Sequence, residues 1–128
     1  MSSLLFVCKE NSNRSQMAQA FAILHGYPEV RAYSAGSTPS GRINPKAIAS
    51  MLEVGYDLSI HESKSLEEIP NINFDAVITM GCGDECPWIP GELHEDWEIP
   101  DPRDMNEDDF REVRDEIESK VINLLQRI

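Results

Sequence analysis

The sequence predicts an α/β fold: three layers, with a four-stranded, mostly parallel sheet flanked by helices on both faces. Three observations point there. Short apolar runs alternate with helical stripes, in the order strand, helix, strand, helix, strand, strand, helix, and such alternation is the mark of a parallel sheet with crossover helices. The first run, Leu4 to Val7, is continuously apolar, as a strand covered on both faces must be. Finally Cys8, Cys82 and Asp101 each follow a proposed strand, so a parallel sheet would bring them to one carboxyl edge, where such folds bind ligands.

The elements follow in order. After the first strand, Met17, Phe21 and Leu24, with Ala18 and Ala20, give a helical stripe that starts at Ser15 and ends near Gly26 and Pro28. Val30 to Ser34 reads as a second strand, followed by a turn-rich stretch from Ala35 to Gly41. Asn44 caps a helix with Pro45 in its first turn, Ala47, Ile48, Met51 and Leu52 as its buried face and Gly55 at its end. Asp57 to Ile72 carries weaker signals, read as a loop with one short helix around Leu66 to Ile69. Phe74 to Met80 is a third strand, Gly81 to Gly91 a loop, and a short fourth strand is expected around Trp97 and Ile99, broken by Asp101-Pro102. Asn106 caps a last helix whose first turn carries Glu107, Asp108 and Asp109, favourable at its positive end. Phe110, Val113, Ile117, Val121, Leu124 and Ile128 form its core-facing stripe.

At 128 residues the chain is expected to form one domain, residues 1–128, with a core that needs no staples. No apolar run approaches a membrane span, and the N-terminal run is too short for a signal peptide; a soluble, cytoplasmic protein without membrane contact is expected, with monomer as the default state. Acidic residues outnumber basic ones 23 to 11, for a net charge of −12, which argues against a nucleic-acid partner. It does not exclude an anionic substrate, because exposed charges are screened beyond about 8 Å.

Chemistry concentrates in Cys8-Lys9-Glu10-Asn11-Ser12-Asn13-Arg14-Ser15. A loop from strand to helix that turns its backbone N–H groups inward, with Arg14 as a planar fork of donors, would cradle an oxyanion through residues Lys9 to Arg14. The same field stabilises a thiolate at Cys8, the candidate nucleophile. Ser15 either hydrogen-bonds that sulfur or caps the helix, and Asn11 shapes the loop through its amide, supplies a left-handed backbone, or does both. Asp101 is a candidate general acid, or a turn aspartate before Pro102. Three cysteines in a cytosolic chain suggest chemistry or metal rather than a disulfide framework. Cys82 and Cys86 lie four apart; on a helix their Cβ atoms would be about 5–6 Å apart, too far to bond unless the turn unwinds, which Gly81 and Gly83 allow. A zinc site of these sulfurs with His94 fits less well, because the spacing lacks paired knuckles. His61, His94 and Trp97 otherwise read as structure, and His25 lies at a helix end, where it can offset the dipole.

The stretch Cys8 to Ser15 resembles the phosphate loop of low-molecular-weight protein tyrosine phosphatases, and the whole chain resembles the arsenate reductases built on that fold. The likeness runs through Arg14-Ser15-Gln16-Met17-Ala18, Ser34-Ala35-Gly36, Asn44-Pro45-Lys46-Ala47, Glu53-Val54-Gly55, Val77-Ile78-Thr79-Met80, Cys86-Pro87 and Asp96-Trp97 before Asp101-Pro102. The resemblance implies that Cys8 attacks arsenate held by the loop and Arg14, that Asp101 is the acid, and that Cys82 resolves the adduct and Cys86 carries the disulfide outward. Thioredoxin or another thiol reductant would then regenerate the enzyme, and no cofactor or metal is implied. The alternative the resemblance allows is a phosphatase acting through a Cys8 phosphoenzyme.

Three departures from the family pattern stand out. Gly81 occupies the place of the second cysteine in many relatives, and Cys82 comes one later. Some relatives bind potassium through an asparagine, a serine and a carboxylate; Asn11 and Ser34 fit, but Lys64 stands in the carboxylate's place, implying that an ammonium supports the loop instead. Arg103 and Asp104 replace the aromatic residues that sandwich a phenyl ring in the tyrosine phosphatases.

Overall fold

The computed structural model describes residues 2–81 and 86–128. Four parallel strands, β1 (Ser2–Cys8), β2 (Val30–Gly36), β3 (Phe74–Thr79) and β4 (Gly91–Asp96), form one sheet in the order β2-β1-β3-β4. Three α-helices accompany it, α1 (Arg14–Gly26), α2 (Pro45–Leu52) and α3 (Glu107–Arg127). β1 is central, with β2 on one side and β3 on the other, so the strand order reverses beside it. Its carboxyl end is therefore the crevice where α/β sheets place ligands, and Cys8 is its last residue.

The period of two along β1 divides the core. Leu4, Phe6 and Cys8 face a large cluster built with Met17 and Phe21 of α1, Ala47 and Met51 of α2, and Phe110, Ile117, Val121 and Leu124 of α3. Leu5 and Val7 face the other way, against Phe74 and Val77, and are covered by Leu66, Ile69, Cys86 and Ile89. Between β1 and α3, the Trp97 ring lies 6.0 Å from that of Phe6. α1 and α3 pack on one another directly, as the stripes at three- and four-residue steps require. Asn44 and Asn106 cap α2 and α3 by accepting from the Lys46 and Asp109 N–H groups.

Several expectations need correction. The fourth strand is Gly91–Asp96 and ends before Trp97; as an edge strand of alternating partial exposure it carries charged residues, which hides the apolar signal. Trp97 and Ile99 are buried, but in the loop that follows. Between residues 57 and 72 there are two short 3-10 turns, Leu58–Ile60 and Leu66–Glu68, instead of one helix. Leu24, Leu52 and Ile128 are exposed, each at or near the C-terminal end of its helix. Among the described residues, no helix is long and apolar enough to cross a membrane.

Ile117 is fully buried in the large cluster. Ile117→Ala should cost about 2–5 kcal/mol, read as a lower urea midpoint with an unchanged slope.

Candidate active site

The loop joining β1 to α1 is braced from outside by its neighbours. The Ser37, Thr38 and Ser40 N–H groups donate to the carbonyls of Cys8, Lys9 and Glu10 at 3.2, 2.8 and 3.0 Å, and the Asn44 N–H donates to Ser12 at 3.2 Å. The Ser63 hydroxyl adds a second bond to the Glu10 carbonyl, at 3.1 Å. With the carbonyls engaged outside, planar trans peptides leave the N–H groups of Lys9 to Asn13 toward the interior, a nest for an anion at the N-terminus of α1. The close approach depends on Gly36, where a Cβ would come within 2.7 Å of the Lys9 carbonyl oxygen and 3.0 Å of the Asn11 nitrogen.

Cys8 sits on the floor, a free and buried thiol, and its sulfur lies 2.8 Å from the Ser15 hydroxyl. The Asn11 amide Nδ2 donates to that same hydroxyl at 2.8 Å, which leaves the Ser15 proton available to the sulfur. Ser15 lies inside α1 rather than at its cap, so of the two roles open to it the contact with sulfur is the one formed. Asn11 performs both of its roles: its φ is 51° and its side chain ties the loop together.

Arg14 is 8% exposed, which costs a guanidinium unless it is held. Its Nη1 donates to the Ile99 carbonyl at 3.1 Å, and its Nη2 lies 3.8 Å from Asp101. Asp101 is exposed and also accepts from the Arg103 N–H at 3.1 Å, so it makes its turn and faces the arginine at once. Two contacts fix the loop around it: Lys46 Nζ donates to the carbonyls of Arg103 and Met105 at 3.2 and 3.1 Å, and the Arg103 guanidinium pairs with Glu10 at 3.1 Å. Gly81 closes the site from β3; its φ is +79° and a Cβ there would lie 2.5 Å from Arg14 Nη1.

The loop-supporting trio is only partly assembled. Lys64 acts through its backbone, donating to Asn11 Oδ1 at 2.8 Å and accepting from the Gly36 N–H at 2.8 Å. The Ser34 hydroxyl donates instead to Gln19 Oε1 at 2.6 Å. Asn11 Oδ1 also accepts from Gln16 Nε2, so both of its lone pairs are engaged, and with Lys64 where a carboxylate would stand the residues present do not fit a potassium ion. His94 donates to the Ile89 carbonyl and stacks on Trp88. Cys82 lies outside the described residues. Cys86 is half-buried and disulfide-bonded, while Cys8 is free, so the two are not bonded to each other.

A chain of strand-end cysteine, braced anion loop, buried arginine and facing aspartate is matched, over residues 3–128, by the family model described as low molecular weight phosphotyrosine protein phosphatase. The chain belongs to that family. A relative from Synechocystis sp., named glutaredoxin arsenate reductase, is 40% identical over 131 residues, covering 100% of this chain and 99% of its own length. A solved arsenate reductase in the phosphate binding state has a TM-score of 0.90 at 38% identity, covering 100% of this chain and 99% of that one. The thioredoxin-dependent arsenate reductase of Corynebacterium glutamicum has a TM-score of 0.81 at 33% identity, covering 99% of this chain and 61% of that one.

Sequence reasoning missed Gln16, Lys46 and the bracing role of Gly36. Lys46 and Gly36 were visible only as parts of family motifs. Gln16 stood in the sequence only as a polar residue next to Ser15 in the first turn of α1, within the same family motif.

Gly36→Ala pushes a methyl against backbone atoms that cannot yield. It should weaken inorganic phosphate binding about tenfold or more, measured by titration calorimetry, while circular dichroism stays that of the parent.

Proposed function

We propose that the protein reduces arsenate to arsenite through a cysteine relay. One juxtaposition carries it: a free, buried Cys8 thiol lies inside an oxyanion nest, and Cys86 packs under the other face of the same strand, against the cluster of Leu5 and Val7. The Cys8 thiolate attacks arsenic and forms an As–S bond, while Asp101 protonates the departing oxygen, which leaves as water. Arg14 and the loop N–H groups hold the remaining oxygens. The Cys82 thiolate then attacks the Cys8 sulfur. An S–S bond forms, the As–S electron pair passes to arsenic, and arsenite leaves. Cys86 attacks Cys82, freeing Cys8 as a thiolate and leaving a Cys82–Cys86 disulfide for an external dithiol to reduce. The relatives' names support both a thioredoxin and a glutaredoxin in that role; a disulfide within one chain suits a dithiol donor, and cycling suits the reducing cytoplasm. We take residues 1–128 as one catalytic domain, acting as a monomer.

Phosphate shares arsenate's shape and charge, so the nest alone is equally that of a phosphatase working through a Cys8 phosphoenzyme. Against aryl phosphates stand Arg103, paired with Glu10, and Asp104, where tyrosine phosphatases carry an aromatic wall.

Free-thiol counting on reduced protein mixed with arsenate, without external reductant, decides between them. The relay gives one arsenite and two thiols lost per chain, none in Cys8→Ser, and a trapped Cys8–Cys82 disulfide in Cys86→Ser. Retention of every thiol while an aryl phosphate is hydrolysed would overturn it.

Because both lone pairs of Asn11 Oδ1 are engaged and Lys64 stands where a carboxylate would be, thermal unfolding in potassium chloride should match that in sodium chloride at equal ionic strength. A rise of several degrees specific to potassium would refute the absence of a cation site.

A further inference from the structure

Two charged residues stand where local electrostatics disfavour them. Lys46 is the second residue of α2, and the positive end of a helix dipole repels a cation. Glu10 lies in the loop whose N–H groups face an anion, where a carboxylate opposes the ligand. Both reach the same residue of the acid loop. Lys46 Nζ donates to the Arg103 carbonyl at 3.2 Å, and to that of Met105 at 3.1 Å. The Glu10 carboxylate pairs with the Arg103 guanidinium, 3.1 Å from its Nη1. Residues set against a local rule mark places where function makes a competing demand.

What Arg103 holds is the candidate acid. Its backbone N–H donates to Asp101 Oδ1 at 3.1 Å. The other carboxyl oxygen, Oδ2, faces Arg14, 3.8 Å from Nη2. With Oδ1 engaged as an acceptor, the transferable proton belongs on the oxygen that faces the nest. The turn is closed by the Met105 N–H on the Pro102 carbonyl at 2.9 Å. Arg103 and Asp104 are nevertheless exposed, so packing does not fix them. Lys46 from α2 and Glu10 from the nest do so instead, one on the Arg103 carbonyl and one on its side chain.

We propose that Lys46 and Glu10 are positioning residues for the general acid: through Arg103 they hold the turn that directs Asp101 Oδ2 at the leaving oxygen. This deepens the function proposed above, because it rests on Asp101 acting as the acid, whether the oxygen leaves arsenate or a phosphate ester. Exposed pairs between long side chains add little to stability, so loosening this clamp should cost rate and spare the fold. Acid placement and anion binding should also separate. Lys46 Nζ donates to the turn and not to the nest, while removing Glu10 takes a negative charge from the nest's rim.

The test measures single-turnover thiol loss from the reduced full chain at saturating arsenate, beside the affinity for inorganic phosphate by calorimetry. Lys46→Met should slow turnover about tenfold or more while phosphate affinity stays within about twofold of the parent. Lys46→Arg, which can still donate to both carbonyls, should recover most of the rate. Glu10→Ala should slow turnover too, yet bind phosphate at least as tightly as the parent. In an Asp101→Asn background Lys46→Met should cause no further loss, because the group it places is already gone. Turnover at the parent rate in Lys46→Met overturns the proposal. So does an equal loss in the Asp101→Asn background, or a fall in phosphate affinity that keeps step with the rate. If Glu10→Ala does not fold, the Lys46 variants decide. A parent that keeps its thiols in arsenate but hydrolyses an aryl phosphate fails the reductase proposal alone, and the same cycle is then read on the ester. A parent that does neither overturns the role of Asp101 and this inference with it.

Discussion

The structure depends on one arrangement, the outward turn of the carbonyls between Cys8 and Ser12. A buried peptide group must be paired, and a loop that gives its N–H groups to a ligand has only its carbonyls to offer the rest of the protein. Here the segments 37–44 and 63 take up those carbonyls. What looks like a long connection between β2 and α2 is therefore the outer wall of the nest. Its position follows from β2 lying beside β1 in register, Gly36 opposite Cys8.

A second set of contacts holds the charges. Arg14 is kept from collapsing onto empty space by the Ile99 carbonyl, and Asp101 is brought near it by a loop pinned to α2 through Lys46 and to the nest through Glu10. Helix, nest and acid loop thus meet at one place although they come from distant parts of the chain. Their exposed ion pairs contribute little to stability. Their effect is geometric: the aspartate, although exposed, is held 3.8 Å from the arginine.

Much of this was legible in the residues. Local rules sufficed for β1, α1, α2 and α3, because continuous apolar runs and capped amphipathic stripes are written in neighbouring residues. β4 was misplaced because an edge strand has little apolar surface to bury; Trp97 and Ile99 drew the expectation toward a loop that packs without being a strand. In the site, Cys8, Arg14 and Asp101 were visible because strand ends in a parallel sheet converge. His61 was not, since its contacts with Gln16 and Tyr56 are encoded in no spacing. Ser34 shows the opposite limit: a motif position fits, yet its hydroxyl is bonded to Gln19.

Gly81 limits where a side chain can stand. Its backbone is left-handed and the place of its absent side chain is taken by the Arg14 guanidinium. A cysteine, or any other residue with a Cβ, at position 81 would have to displace that arginine from the carbonyl that holds it. The room denied to a sulfur here is the room in which the guanidinium lies.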